Sequence, residues 1–294
     1  MGDARLTSLE HVMGELGSVA VGLSGGVDSS LLAAAAYRVL GDASVAVIAL
    51  SPSLPQRELE GALTIAERIG LETEVVETAE VADPRYAANP RNRCLFCKDH
   101  QFAALRQVAD SRGLAHIAHG EVLDDLDDHR PGRAAAENWG VRAPLREAGL
   151  YKADVRELAL HLNLPVWDKP AFACLASRIA TGQEVTPDKL ARIEEAEAFL
   201  ADEGFSACRV RDQGQLARLE LPPQEHPRAV ARAEAIVTQL RTLGFEHVTL
   251  DLAGLDASRQ RPVVVEGEHR QLPVLTTLVP SSAPAESTRP QVGS

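Results

Sequence analysis

The sequence predicts an α/β protein, a doubly wound parallel sheet followed by a smaller carboxyl-terminal α+β domain, and three observations carry that prediction. Over the first hundred and seventy residues, short β-rich runs alternate with amphipathic helical patterns, the spacing expected of helices that cross over between parallel strands. A glycine-rich turn, Ser24-Gly25-Gly26, lies between the first of those runs and the helix after it. That is the carboxyl end of a strand, where open α/β sheets bind their ligands. Beyond Pro165 and Pro170 the pattern changes to a capped helix, two strands around a tight turn, a second helix and a last strand.

Taken in order, Ser18 to Leu23 (SVAVGL) reads as the first strand, and about Asp28 to Leu40 as the helix it feeds. Ser44 to Leu50 (SVAVIAL) is the second strand and leads through Pro52 and Pro55 into a helix from about Gln56 to Ile69. Thr73 to Val76 is a shorter strand, a helix spans about Cys97 to Arg112, and His116 to His119 closes the last βα step. In the second part, Thr186-Pro187-Asp188 supplies a helix cap with proline at the first helical position, and the helix runs to Glu203 before Gly204. Cys208 to Val210 and Leu216 to Leu221 flank a Gln213-Gly214 turn, and a helix from about Glu225 to Leu243 precedes a strand near His247 to Leu250. These patterns divide the chain into a nucleotide-type domain over 1–172, an α+β domain over 173–275 for substrate contacts and association, and a Pro- and Ser-rich tail over 276–294 expected to be disordered.

Composition bounds the function. The chain has 294 residues, 45% hydrophobic and 24% charged, with a formal net charge of −12. These are globular values. The acidic balance argues against a nucleic-acid partner, which calls for a basic surface. No run of about 18 apolar residues predicts a membrane span. The amino-terminal stretch carries acids where an export signal carries a basic region and an apolar core. A cytoplasmic protein is expected. The four cysteines, Cys94, Cys97, Cys174 and Cys208, then read as metal-binding or redox groups rather than as disulfides.

The segment Ser24-Gly25-Gly26-Val27-Asp28-Ser29-Ser30 predicts a phosphate site. Adjacent glycines let the backbone turn sharply against an anion, and the N–H groups of the new helix point at it. Ser24, Ser29 and Ser30 offer hydroxyls, and Asp28 can hold a Mg²⁺ ion bridging phosphates. The Walker lysine and the dinucleotide glycine pattern are both absent. This heptad resembles the PP-loop of the ATP pyrophosphatases, whose fold is adenine nucleotide α hydrolase-like and which cleave ATP between the α and β phosphates to adenylate an oxygen of a substrate.

Further segments narrow the resemblance: Arg93-Cys94-Leu95-Phe96-Cys97-Lys98 just before a helix, GEVLDDLDDHRPG over 120–132, Pro144-Leu145, Lys152-Ala153-Asp154-Val155-Arg156, and KPAFACLASR over 169–178. In this order they resemble the LarE family, from about Ser18 to Leu221. Its members are ATP-dependent sulfur transferases that convert pyridinium-3,5-biscarboxylic acid mononucleotide to its thiocarboxylate form on the way to the nickel-pincer nucleotide cofactor of lactate racemase. GMP and NAD synthetases share the loop but are not expected to carry the cysteine triplet. The resemblance implies two sulfur sources. Either Cys174 gives up its own sulfur and becomes dehydroalanine, or Cys94, Cys97 and Cys174 hold a [4Fe-4S] cluster whose open iron carries an extra sulfide from a donor. The residues alone also allow a structural zinc site completed by His100 or His116, or a redox pair carrying a persulfide. Cys208 reads as a small buried hydrophobe.

The acids Asp124, Asp125, Asp127 and Asp128 can coordinate Mg²⁺ or form a solvated loop. The family pattern favours roles for Asp125 and Arg130 at the substrate. Here the family more often reads Gly-Thr-Asn, whereas this chain has Gly120-Glu121-Val122, so contacts of that Thr-Asn pair do not carry over. By resemblance to the wider superfamily, Lys152 contacts ATP. Ser177 and Arg178 follow Cys174 closely, and Arg209 and Arg211 project from one strand face, an arrangement suited to the 5′-phosphate of a mononucleotide. A homo-oligomer is expected from the likeness of the second domain to the association domain of GMP synthetases. A tRNA thiolase, or a nucleotide-binding regulator with structural zinc, is the alternative reading.

Overall fold

The computed structural model describes residues 3–126, 132–170 and 172–255. An amino-terminal helix, α1 (Ala4–Leu16), begins at Asp3, whose carboxylate accepts the Arg5 N–H at 2.9 Å. Then follow β1 (Val19–Gly22), α2 (Val27–Leu40), β2 (Ser44–Leu50), α3 (Gln56–Ile69), β3 (Thr73–Glu77), α4 (Pro84–Ala87), α5 (Arg93–Arg112), β4 (His116–Ala118), α6 (Gly132–Asn138), α7 (Pro144–Glu147) and α8 (Lys152–His161). The second part consists of α9 (Pro187–Asp202), β5 (Arg209–Gln213), β6 (Leu216–Glu220), α10 (His226–Ala231), α11 (Ala233–Thr242) and β7 (His247–Leu250).

Four strands form a parallel sheet in the order β3-β2-β1-β4, with Val19 opposite both Ser44 and His116. Its strands are buried on both faces, which is why they read as near-continuous apolar runs. On β1, Val19 and Val21 pack with α1, α2, α3 and α8, while Ala20 packs on the other face with α5 and α6. Strand order reverses at β1, whose neighbours are β2 on one side and β4 on the other. That crevice, at the carboxyl ends, is the expected ligand position. Among the described residues no helix is long and apolar enough to cross a membrane.

The second sheet has the order β5-β6-β7, antiparallel then parallel, over a core of α9, α10 and α11. Thr186 caps α9 as expected, its hydroxyl accepting the Lys189 N–H at 3.3 Å, with Pro187 in the first turn. The helix expected over about 225–243 is broken at Arg232 into α10 and α11, where the backbone leaves helical angles (φ −102°, ψ 13°). Both sheets belong to one compact unit, Met1–Asp256. The tail over 276–294 lies outside the described residues.

Cys208 lies in the second core and is buried. Burial and the neighbouring Glu197 carboxylate push its thiol up to about 12 from an ordinary 9.0. A group raised in the folded state contributes stability that is complete below its unfolded value and is lost as the pH climbs towards the folded one. The stability of the wild type is therefore expected to fall between about pH 9 and pH 12 more steeply than that of Cys208→Ala, by up to one proton in the pH slope. Urea titrations across that range measure the difference.

Candidate active site

The phosphate loop is shaped by close contacts that only glycine permits. Gly25 sits at φ +71°, and a Cβ there would lie 3.3 Å from Ala62 Cβ and from the Glu58 carbonyl of α3. Lys169 braces the turn from outside, donating to the Gly25 carbonyl at 3.0 Å and to the Glu58 carboxylate at 2.8 Å. Gly26 is the residue before α2 and provides no side-chain cap, so the first-turn N–H groups face outward as a site for an anion. Ser29 Oγ accepts the Ser24 N–H at 3.1 Å and donates to the Gly26 carbonyl at 3.1 Å. Ser30 donates to that carbonyl at 2.8 Å and is fully buried, so its hydroxyl shapes the loop from inside. Gly120, after β4, presses on the start of α2: a Cβ on it would lie 2.9 Å from the Ser29 nitrogen.

A cavity of about 550 Å³ opens at the carboxyl ends of β1, β2 and β4. Its lining includes Ser24, Gly26, Asp28, Ser29 and Asp125 together with Cys94, Cys97 and Cys174. Gly25 and Ser30 lie behind this wall. A smaller hollow of about 250 Å³ is lined by Asp42, Ser44 and Arg112 at the opposite ends of the strands and holds none of the expected residues. Lys152, at the start of α8, reaches Asp28 Oδ2 at 2.5 Å and borders the loop.

The cysteine pair lies in the first turns of α5, not just before a helix as its sequence suggests. Residues three apart share a helix face, which places Cys94 and Cys97 towards one cavity. Cys174 enters from the irregular segment before Leu175–Arg178. Cys94 is exposed, while Cys97 and Cys174 are half-buried. Burial first, and then the neighbouring Cys174, push the Cys97 thiol up to about 12. It stays protonated at neutral pH unless a bound cation supplies compensating charge. The three sulfurs fit iron–sulfur or zinc ligation by donor type and shared cavity, although among the described residues no three His, Cys, Asp or Glu side chains already form a metal-binding group. His116 begins β4 at the far end of the sheet, and His100 is paired with Asp83 at 3.2 Å, so neither completes a zinc site as drawn from the sequence.

Arg178 does not face the cavity. It is 2% exposed and makes a two-pronged pair with the equally buried Glu197 of α9, at 2.9 and 3.1 Å. Its remaining donors hold the Ala173 carbonyl at 2.6 Å, the Cys174 carbonyl at 3.3 Å and the Ser177 hydroxyl at 3.0 Å. This corrects its expected substrate contact, because a guanidinium buried to 2% exposure, with all three nitrogens bonded inside the protein, presents no surface to a phosphate. Ser177 is tied into the same knot. Arg211 pairs with Glu220 at 2.9 and 2.8 Å and donates to the Ser177 carbonyl at 2.7 Å. Arg209 shares its strand face, with the intervening Val210 turned into the core. Burial, with Arg178 and Arg211 as like-charged neighbours, lowers its pKa. Arg130, Asp127 and Asp128 lie outside the described residues.

Residues 7–110 match the family model of NAD synthase. A pyridinium-3,5-bisthiocarboxylic acid mononucleotide synthase of Lactiplantibacillus plantarum is 32% identical over 262 residues, 89% of this chain and 95% of that protein. The chain belongs to the LarE family. An uncharacterised protein of Synechocystis is 43% identical over 267 residues, 90% of this chain and 99% of its own length. One subunit of the glutamine-hydrolysing GMP synthase of Pyrococcus furiosus is 25% identical over 215 residues, 68% of each. The chain is an ATP-using sulfur transferase of the PP-loop class.

One departure from the LarE family's usual Gly-Thr-Asn has a visible consequence. Glu121 is buried in the cavity wall, accepts from Arg133 Nε at 3.2 Å and pairs with Arg146. It fixes Arg133, another lining residue, which also donates to the Asp125 carbonyl. Asp125 itself turns its carboxylate to the Val122 N–H at 3.1 Å. Lys169, Glu121, Arg133 and Arg93 do not stand out in the sequence as site residues. All four belong to segments that resemble the LarE family or adjoin them, with Glu121 at a point where this chain departs from the family pattern, and the partner that defines each role lies elsewhere in the sequence.

Two outcomes are expected. Gly120→Ala should leave the far-ultraviolet circular dichroism unchanged while weakening ATP binding about ten-fold in calorimetry, because its Cβ displaces the start of α2. Arg178→Met, which leaves the buried Glu197 with only the longer Arg57 contact at 3.7 Å as charge partner, should lower the unfolding free energy in urea by about 3–5 kcal/mol. The double variant Arg178→Met/Glu197→Leu should recover most of that loss.

Proposed function

We propose that the chain adenylates a carboxylate of pyridinium-3,5-biscarboxylic acid mononucleotide with ATP, releases pyrophosphate, and inserts sulfur to give the thiocarboxylate, in the synthesis of the nickel-pincer nucleotide cofactor. The observation that supports it is the cavity of about 550 Å³ shared by the phosphate loop and three cysteines. A carboxylate is a poor electrophile until AMP becomes its leaving group. Activation and sulfur attack on one short-lived acyl adenylate therefore need both sets of groups within one enclosure.

The α2 N–H groups and the Ser24 hydroxyl hold the ATP phosphates, whose cleavage is between α and β. Asp28 and Asp125, both in the lining, supply the hard oxygens that suit Mg²⁺, with Lys152 balancing the Asp28 charge. The metal when bound neutralises the phosphates. The Arg209 and Arg211 face binds the 5′-phosphate of the mononucleotide, and the second sheet that carries it mediates self-association. Cys94, Cys97 and Cys174 would hold a [4Fe-4S] cluster, which supplies an open iron able to carry an extra sulfide. Without one, Cys174 is the sulfur source.

With ATP and the substrate, the wild type should release pyrophosphate and form thiocarboxylate, and Cys174→Ala should release pyrophosphate within about three-fold of the wild-type rate while forming no thiocarboxylate. Retained sulfur transfer in that variant would overturn the assignment of Cys174. Anaerobic purification with iron, sulfide and zinc analysis tests the cluster, which zinc without iron would sink. Mass spectrometry after turnover reads the sulfur source: loss of H₂S from Cys174 identifies sacrifice, and an unchanged chain identifies recycling.

A further inference from the structure

The reactive sulfur has a cationic neighbour whose place in the fold is fixed from several sides. Arg93 opens α5, and its Nη2 lies 3.8 Å from Cys174 Sγ. The same guanidinium donates through Nη1 to Asn89 Oδ1 and to the Ala176 carbonyl, both at 2.7 Å. Its plane rests over the ring of the buried Tyr86, 5.8 Å from the centroid. Asn89 is itself held in an uncommon conformation, φ +51°, with its amide donating to the Ala180 carbonyl at 2.9 Å and its own carbonyl accepting the Gly182 N–H at 2.9 Å. A left-handed asparagine costs free energy unless its surroundings impose it. Here they impose it on a residue that, with the Ala176 carbonyl, orients Arg93. Nothing about a helix start requires this arrangement. The guanidinium bridges two segments distant in sequence, and one of its prongs is left for sulfur.

We propose that Arg93 is the positioning residue of the sulfur-transfer step. It fixes the direction of the Cys174 sulfur at the cavity wall and accompanies the negative charge which that sulfur carries when it reacts. The inference rests on the sulfur-transfer reading above. Where Cys174 is the sulfur source, its thiol proton passes to water and the sulfur–carbon bond to the substrate forms as the carbon–oxygen bond to AMP breaks, the electron pair leaving on the AMP phosphate. The Cys174 Cβ–S bond then breaks as its Cα proton passes to water, which leaves dehydroalanine and the thiocarboxylate with no net oxidation or reduction. A charge-assisted N–H···S contact that strengthens as charge gathers on sulfur acts on this step alone. Adenylation, which occurs at the phosphate loop, does not use it.

The test separates the two half-reactions of the full-length enzyme. In Arg93→Gln, pyrophosphate release should stay within about two-fold of wild type while thiocarboxylate formation falls about 10- to 100-fold, the scale of one charge-assisted hydrogen bond. Arg93→Lys keeps the charge but cannot reach Asn89, Ala176 and Cys174 together, and should fall between the two. Equal losses in both half-reactions would reduce Arg93 to a structural prop and overturn the proposal, as would unchanged sulfur transfer. A second readout does not depend on the reaction. In full-length protein, reduced and freed of metal, the ratio of iodoacetamide labelling at Cys174 to that at the exposed Cys94, read by peptide mass spectrometry, should fall about five-fold or more in Arg93→Gln. An unchanged ratio overturns the proposal even where the wild type releases no pyrophosphate, an outcome that would sink the functional reading instead.

Discussion

The site depends on one buried ion pair. Cys174 has neither sheet nor α-helix to hold it, yet it must face a loop on β1 from a segment that runs towards the second sheet. Arg178 and Glu197 fix that segment: the guanidinium grips the carbonyls of Ala173 and Cys174, while the carboxylate also accepts the Val210 N–H of β5 at 3.0 Å. Two charges taken out of water are costly unless every donor and acceptor is used. Here the guanidinium uses all its nitrogens and lies over Phe172, 4.9 Å from the ring centroid. The return on that cost is register. A packed apolar pair would fill the same space without specifying which carbonyls of the segment are held.

The surroundings of the loop follow a related charge logic. Lys152 is paired with Asp28, Lys169 with Glu58, and Arg133 with Glu121. These three side-chain cations are thus already paired, and the chain has no Walker lysine. Backbone N–H groups at the uncapped start of α2 then carry much of the pull on a polyphosphate, where binding needs close approach, with Lys98 in the same cavity wall, held by Gln101 at 2.9 Å. This explains why glycines stand at 25 and 120, on two different strand ends: Gly25 packs against Glu58 and Ala62 of α3, and Gly120 against Asp28 and Ser29 at the start of α2.

The parallel sheet was legible because strands buried on both faces leave an unbroken apolar run; β2 spans Ser44–Leu50 and α3 Gln56–Ile69, the limits expected from sequence. The loop was legible because its chemistry is local, seven consecutive residues whose geometry is set by their own backbone. The amino-terminal helix, which the expected alternation lacks, has a signal of its own in the spacing of Leu6, Leu9, Met13 and Leu16. What was not legible is pairing at a distance. Arg178 next to a candidate catalytic cysteine reads as a substrate ligand until Glu197, on another element, accounts for all its charge. The cysteine pair reads as preceding a helix because two cysteines and an aromatic are poor helix formers. The bonds of Arg93 to Asn89 and Ala176 show tertiary contacts overriding that propensity in the first turn.

Three cysteines that the sequence presents alike are chemically distinct in the fold. Cys94 is exposed, Cys97 is desolvated and accepts a contact from Gln101 at 3.5 Å, and Cys174 has a guanidinium beside its sulfur. A metal or cluster can use all three only as thiolates, and Cys97, with its thiol near 12, gives up a proton at neutral pH only to a strong local positive charge. Binding of such a group must then release protons and weaken as the solution is acidified. Reduced protein without it keeps Cys97 as a thiol. That leaves Cys94 and Cys174, of which Cys174 has the guanidinium of Arg93 beside its sulfur, so the same three residues are able to serve either sulfur route without a change of fold.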